Sequence, residues 1–185
     1  MKLHALVVAC LLGGTQILAQ SVLTRSALAQ SLGEKSGLNA LVGTSPSTPD
    51  FVKEAAISDL FEIQSSRLAA ERSDDATKTF AKQMIADHEK TSSAMKAMVQ
   101  GGKVQATLPT ALDSTHQSKL DTLKGLQGKD FTKQYHDDQV KAHKDAVDLF
   151  GRYARGGDNP DLKAWAAKTQ PALDHHLKLA QELDK

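Results

Sequence analysis

One cysteine stands among the 185 residues, and it sits at position 10, inside the longest apolar run of the chain. The remainder has no disulfide and no thiolate to offer a metal, so it must fold on packing alone. Aromatic side chains make up only 4 %, while Ala, Leu, Lys, Gln and Asp predominate, a mixture that favours helices over a sandwich or barrel. Neither charge sign dominates. The formal net charge is +1 and no block of like charge occurs, which gives no electrostatic case for nucleic acid as a partner. A Gly-rich phosphate loop and internal repeats are also missing. At this length the chain suits one domain with a core of useful size.

What is present begins with a targeting pattern. Lys2 gives a positive start, "ALVVACLLGGTQILA" is apolar, and Ala27-Leu28-Ala29 supplies the small-x-small motif for cleavage before Gln30. A cut after Ala19 is a second option. The apolar run is short for a membrane span, which needs ~20 residues. Residues 1–29 therefore read as a signal peptide, which carries Cys10 away and places the mature protein outside the cytoplasm, most simply in the periplasm. Cleavage also removes Lys2 and Arg25 but no acid, leaving 21 of the 23 basic residues against 22 acidic ones.

Residues 30–49, rich in Gly, Ser and Pro without a sustained period, read as a flexible leader before a domain at 50–184. Four long helical patterns follow at 50–72, 75–100, 129–155 and 161–183, with a shorter one at 111–128 between the second and third. Ser73-Asp74-Asp75 separates the first two and caps the second, Gly101-Gly102 stops it, and "RGGDNP" breaks the chain before the last. The inner stripe of the first helix reads Phe51, Val52, Ala55, Ala56, Ile63, Ala69 and Ala70. That of the last reads Leu162, Trp165, Ala166, Thr169, Leu173, His176, Leu177, Ala180 and Leu183.

Each long helix carries one polar residue at mid-depth in its apolar stripe: Glu62, His88, His143 and His176 in chain order. In "PALDHHLKLA" the adjacent histidines point ~100° apart, and His176, three residues after Leu173 and four before Ala180, is the inward one. Antiparallel packing would bring all four middles to one layer. Three imidazoles and a carboxylate are a ligand set for a single Zn, Cu, Ni or Fe ion. Asp87, Asp138 and Gln139 are placed to accept the far ring N–H groups. The same four residues could instead form a metal-free buried network that only knits the helices. His116 lies on the short helix, whereas His136 and His175 read as solvated. Met84, Met95 and Met98 read as core filler, and Tyr135 and Trp165 as core or groove aromatics. No nucleophile is paired with a base, so the residues give no ground for assigning an enzyme.

The segments "FVKEAAISDLFEIQSSRLAAERS", "FAKQMIADHEKTSSAMKAM" and "LKAWAAKTQPALDHHLKLAQEL", with the stretch between them, resemble the bacterial domain-of-unknown-function family 4142. The resemblance covers 51–183 and implies an exported, all-α, ferritin-like four-helix bundle, in some cases associated peripherally with the outer membrane or envelope. It brings no established activity. Glu62, Asp87, His88, Tyr135, Gln139, His143, Pro171 and His176 fit the family pattern. A di-iron centre is not implied by these residues, because the Glu of Glu-x-x-His is replaced by Ile85, Val140 and Leu173.

Overall fold

The computed structural model describes residue 40 and residues 43–185. The signal-peptide expectation at 1–29, Cys10 with it, and most of the leader lie outside the described residues. The rest is all-helical, with five helices: α1 (Thr48–Arg72), α2 (Asp75–Gln100), α3 (Ser114–Gly125), α4 (Gly128–Gly156) and α5 (Pro160–Leu183). Among the described residues, no helix is long and apolar enough to cross a membrane.

Local chemistry sets the boundaries. The Ser47 hydroxyl accepts from the Asp50 amide and donates to its carboxylate, so α1 opens at Thr48, two residues before the periodic pattern begins. Asp74 accepts from Thr77 N at 2.9 Å to start α2, and Asn159 accepts from Leu162 N at 2.9 Å to start α5 ahead of Pro160. Asp113 caps α3 through the His116 amide, which begins that helix three residues later than the sequence pattern suggests. Gly128 enters α4 with φ +55°, a conformation that other residues adopt only with strain.

The helix pairs in contact are α1 with α2, α2 with α5, α5 with α4 and α4 with α1, which closes a ring. The α1–α2 and α4–α5 connections are short, as antiparallel neighbours require. Residues 101–127 form the long crossover, and α3 within it lies against α1 and α4. Buried positions repeat at alternating spacings of three and four. On α1 one such series is Val52, Ala55, Asp59, Glu62, Ser66 and Ala69, with further buried residues such as Phe51 and Phe61 beside it; on α5 it is Leu162, Ala166, Thr169, Leu173, His176 and Ala180. That is the spacing of helices packed at a shallow angle.

Two separate apolar clusters result. One gathers Phe51, Val52, Met95, Phe150, Tyr153 and Leu162, with Phe51 stacked on Tyr153 at 4.2 Å. The other gathers Phe61, Phe80, Met84, Leu123, Phe131 and Tyr135. Each buried side chain of this size contributes ~1.5–3 kcal/mol. Between the clusters lie buried polar residues: Asp59, Glu62, His88, Gln139, His143 and His176.

Two expectations about faces need correction. Ile63 is only half-buried, whereas Phe61 is wholly covered, with the ring of His116 and the ammonium of Lys119 against it. Helix α1 has three neighbours rather than two, so its buried face is wider than one stripe. His136 is not solvated but 8 % exposed, because Thr77 at the start of α2 reaches it with a 2.9 Å hydrogen bond. His175 does face solvent, while His176 is buried. Trp165 is half-buried, packing its ring against Phe51 and Phe150.

Candidate metal centre

His88, His143 and His176 converge from α2, α4 and α5. Their ring centroids stand 5.6, 5.7 and 5.4 Å apart, and all three residues are 3 % exposed or less. One nitrogen from each ring lies within 4.8 Å of one from each of the others. Each arrives there because the 3-4 repeat of its helix places a histidine where a Leu or Met would otherwise stand.

Every ring is held by its other nitrogen. His88 Nδ1 donates to Asp59 Oδ1 at 2.8 Å, His143 Nδ1 donates to the Gln139 carbonyl at 2.9 Å, and His176 Nε2 donates to Asp87 Oδ2 at 3.0 Å. Asp59 is fixed in turn by the hydroxyls of Thr91 and Ser92, at 2.8 and 2.9 Å. Hydrogen-bond acceptors of this kind set the tautomer and leave the second nitrogen as a lone pair. Those second nitrogens, His88 Nε2, His143 Nε2 and His176 Nδ1, are buried and have no hydrogen-bond partner.

The electrostatics separate the three rings. Burial pushes His143 down to about 3, with the neighbouring charges of His88 and His176 adding to the effect. Burial also lowers His176, again helped by His88. For His88 burial acts in the same direction, but the Asp59 hydrogen bond and the charges of Asp59, Glu62 and Asp87 outweigh it and raise the pKa. Burial thus favours the neutral form of His143 and His176, whereas the carboxylates around His88 favour its charged form.

Glu62 is 1 % exposed. Neither of its oxygens makes a hydrogen bond of normal length and angle. Burial raises its pKa to about 7, against the opposing pull of His88 and the Gln139 amide. It stands outside the group whose ligand atoms all fall within 4.8 Å of one another. Of the four residues expected to converge, the three histidines bring ligand atoms within 4.8 Å of one another, and Glu62 is buried outside that group.

The three supporting residues expected from the sequence divide differently. Asp87 holds an imidazole, as expected. Gln139 does so through its backbone carbonyl, while its side chain points toward Ser65 Oγ at 3.5 Å. Asp138 is turned toward Lys119, 3.9 Å away, and hydrogen-bonds none of the three rings, because it occupies the α4 flank facing α3. Asp59 is not among the residues expected from the sequence, because an acid interrupts the apolar stripe at its position. The 3-4 spacing from Val52 through Ala55 to Glu62 passes through position 59 and is the signal that could have found it. His116 lies apart, its Nδ1 on Asp113 at 2.8 Å.

Six of the eight buried side-chain atoms without a partner among the described residues belong to this layer: both Glu62 oxygens, Gln139 Oε1 and the three imidazole nitrogens. Buried polar atoms are normally paired, since leaving one unmet costs ~1–3 kcal/mol. Three convergent lone pairs also fit the chemistry of a borderline cation. Points 4.8 Å apart have a centre roughly 2.8 Å from each, so ring movements of under ~1 Å would reach the ~2.0–2.1 Å of a zinc–imidazole bond.

No curated protein and no solved structure matches the chain. Residues 34–183 match the family described as a domain of unknown function, DUF4142, and the chain belongs to that family.

Proposed function

We propose that this protein is an exported cell-envelope protein, a ferritin-like four-helix bundle that binds one transition-metal ion between His88, His143 and His176. The observation that carries the reading is the set of three buried, partnerless imidazole nitrogens, each with its opposite nitrogen already tied. The closed ring of helix contacts and the long crossover support the bundle. The positive start, apolar run and Ala27-Leu28-Ala29 motif support export, with the periplasm as destination. A metal-free network would leave the three nitrogens and Glu62 unmet in the core, and that cost argues for the ion. A buried divalent ion would balance Asp59 and Asp87, whose carboxylates face the two rings they hold.

Elemental analysis of untagged protein after loading with zinc, copper, nickel or iron salts tests the reading. One equivalent of one of these metals, resistant to dialysis, is the expected result. No stoichiometric metal from any of them would overturn it.

Asp59→Asn provides a sharper check on how the site is held. The amide can still accept from His88 Nδ1, but the charge that makes the imidazole basic is gone. Zinc affinity, measured by competition with a chromophoric chelator, is expected to fall ~10–100-fold with the helical circular dichroism unchanged. An affinity equal to wild type would show that Asp59 does not act through His88.

A further inference from the structure

Three imidazoles fill three positions around a zinc- or copper-like ion, and such ions take a fourth. The question is what stands there. Glu62 is the side chain the layer offers, yet its carboxylate lies outside the cluster formed by the three rings. It is nonetheless in the same buried layer, three residues along α1 from Asp59, whose carboxylate holds His88 Nδ1 at 2.8 Å. Both its oxygens are buried and make no hydrogen bond of normal length and angle. The Gln139 amide is the donor that acts on Glu62, but only weakly, its nitrogen also lying 3.5 Å from Ser65 Oγ, and the hydroxyls of Thr91 and Ser92 are turned toward Asp59. A carboxylate buried in the layer of the ligand cluster, outside that cluster and short of a donor, suits a group that meets the ion through a small protic ligand.

We infer that Glu62 acts on the metal at one remove, accepting a hydrogen bond from a water or hydroxide that is the ion's fourth ligand. This inference rests on the three-histidine reading above. It assigns Glu62 a positioning role: its carboxylate would orient a water held at the fourth position by accepting that water's hydrogen bond. No bond to carbon, nitrogen or the metal forms at Glu62 itself. The centre would therefore have one exchangeable position with an acceptor built beside it. The ligand class it selects is small, protic and oxygen-donating.

Pulsed electron paramagnetic resonance of the full chain loaded with Cu(II) and exchanged into D2O reads this directly. A directly bound water gives strongly coupled deuterons, and a carboxylate ligand does not. The wild-type chain is expected to show those couplings. Glu62→Gln is expected to keep them while Cu(II) affinity falls by about 10–100-fold, the loss typical of a group behind the ligands. A wild-type spectrum without bound deuterons, in which Glu62→Ala creates the signal, would make Glu62 a direct ligand and overturn the inference. Failure of the wild-type chain to take up Cu(II) at all is a different result, because it would remove the three-histidine reading first.

Discussion

Replacement of His143 by alanine is expected to weaken zinc binding by more than ~100-fold, beyond the ~10–100-fold loss that follows removal of a group behind a ligand. The ring is 1 % exposed and its free nitrogen faces two others across the core, so no surface residue can replace it. The same change is expected to abolish the stabilisation that zinc confers. At a free zinc concentration of about 100 times Kd, a ligand that binds only the folded state adds ~2.7 kcal/mol. For a domain of this size that raises Tm by roughly 5–11 °C. The quantity to compare is the shift with and without zinc, because a packing defect lowers both melting points but leaves their difference. A zinc-dependent shift of wild-type size in His143→Ala would place the metal elsewhere.

The pH dependence of binding has a definite sign. On protonated His88 the metal must displace the Nε2 proton, while the Nδ1 proton stays on its hydrogen bond to Asp59, and the surrounding carboxylates make that displacement harder than on an ordinary histidine. Affinity should therefore be highest above the raised His88 pKa and fall by about tenfold per pH unit below it. His143, pushed down to about 3, and His176, also lowered by burial, add to the loss only at lower pH than His88 does.

Glu62→Gln is expected to stabilise the metal-free protein at pH 8 by about 3 kcal/mol while changing it little at pH 4. The Glu62 pKa rises from 4.5 unfolded to about 7 folded, and each tenfold gain in proton affinity corresponds to ~1.4 kcal/mol. Between those values the folded state binds more protons than the unfolded state, so wild-type stability falls as pH rises from about 4.5 to 7 and stays lower above it. Glutamine carries no charge to desolvate, and its amide can donate to Gln139 Oε1, which otherwise lacks a partner. Urea denaturation of chelator-treated protein at several pH values measures the difference. A constant gap between variant and wild type would mean that Glu62 is not the buried acid the fold makes it.

Much of the architecture was legible because helices announce themselves locally. Apolar spacing, the capping Asp74, and the Gly and Pro breaks are short-range features, and they placed four long helices and the inward turn of His176. The same periodicity put His88, His143 and His176 at similar depths, so their convergence could be expected from packing alone. Asp59 was harder to see. An acid at a core position breaks the apolar pattern, and its burial makes sense only once Thr91, Ser92 and His88 of the neighbouring helix surround it.

By itself, the sequence determined the all-helical fold, the extent of each long helix and the identity of the three histidines, because each of these follows from repeats within one segment. The tertiary structure decided which nitrogen each ring leaves free, that Glu62 is buried outside the three-ring cluster, that Asp138 turns to Lys119, and that Phe61 and His136 are covered. Those outcomes depend on groups from different helices arriving within a few ångströms of one another. A one-dimensional period carries the angle of a side chain about its own helix, but not the neighbour that it meets there.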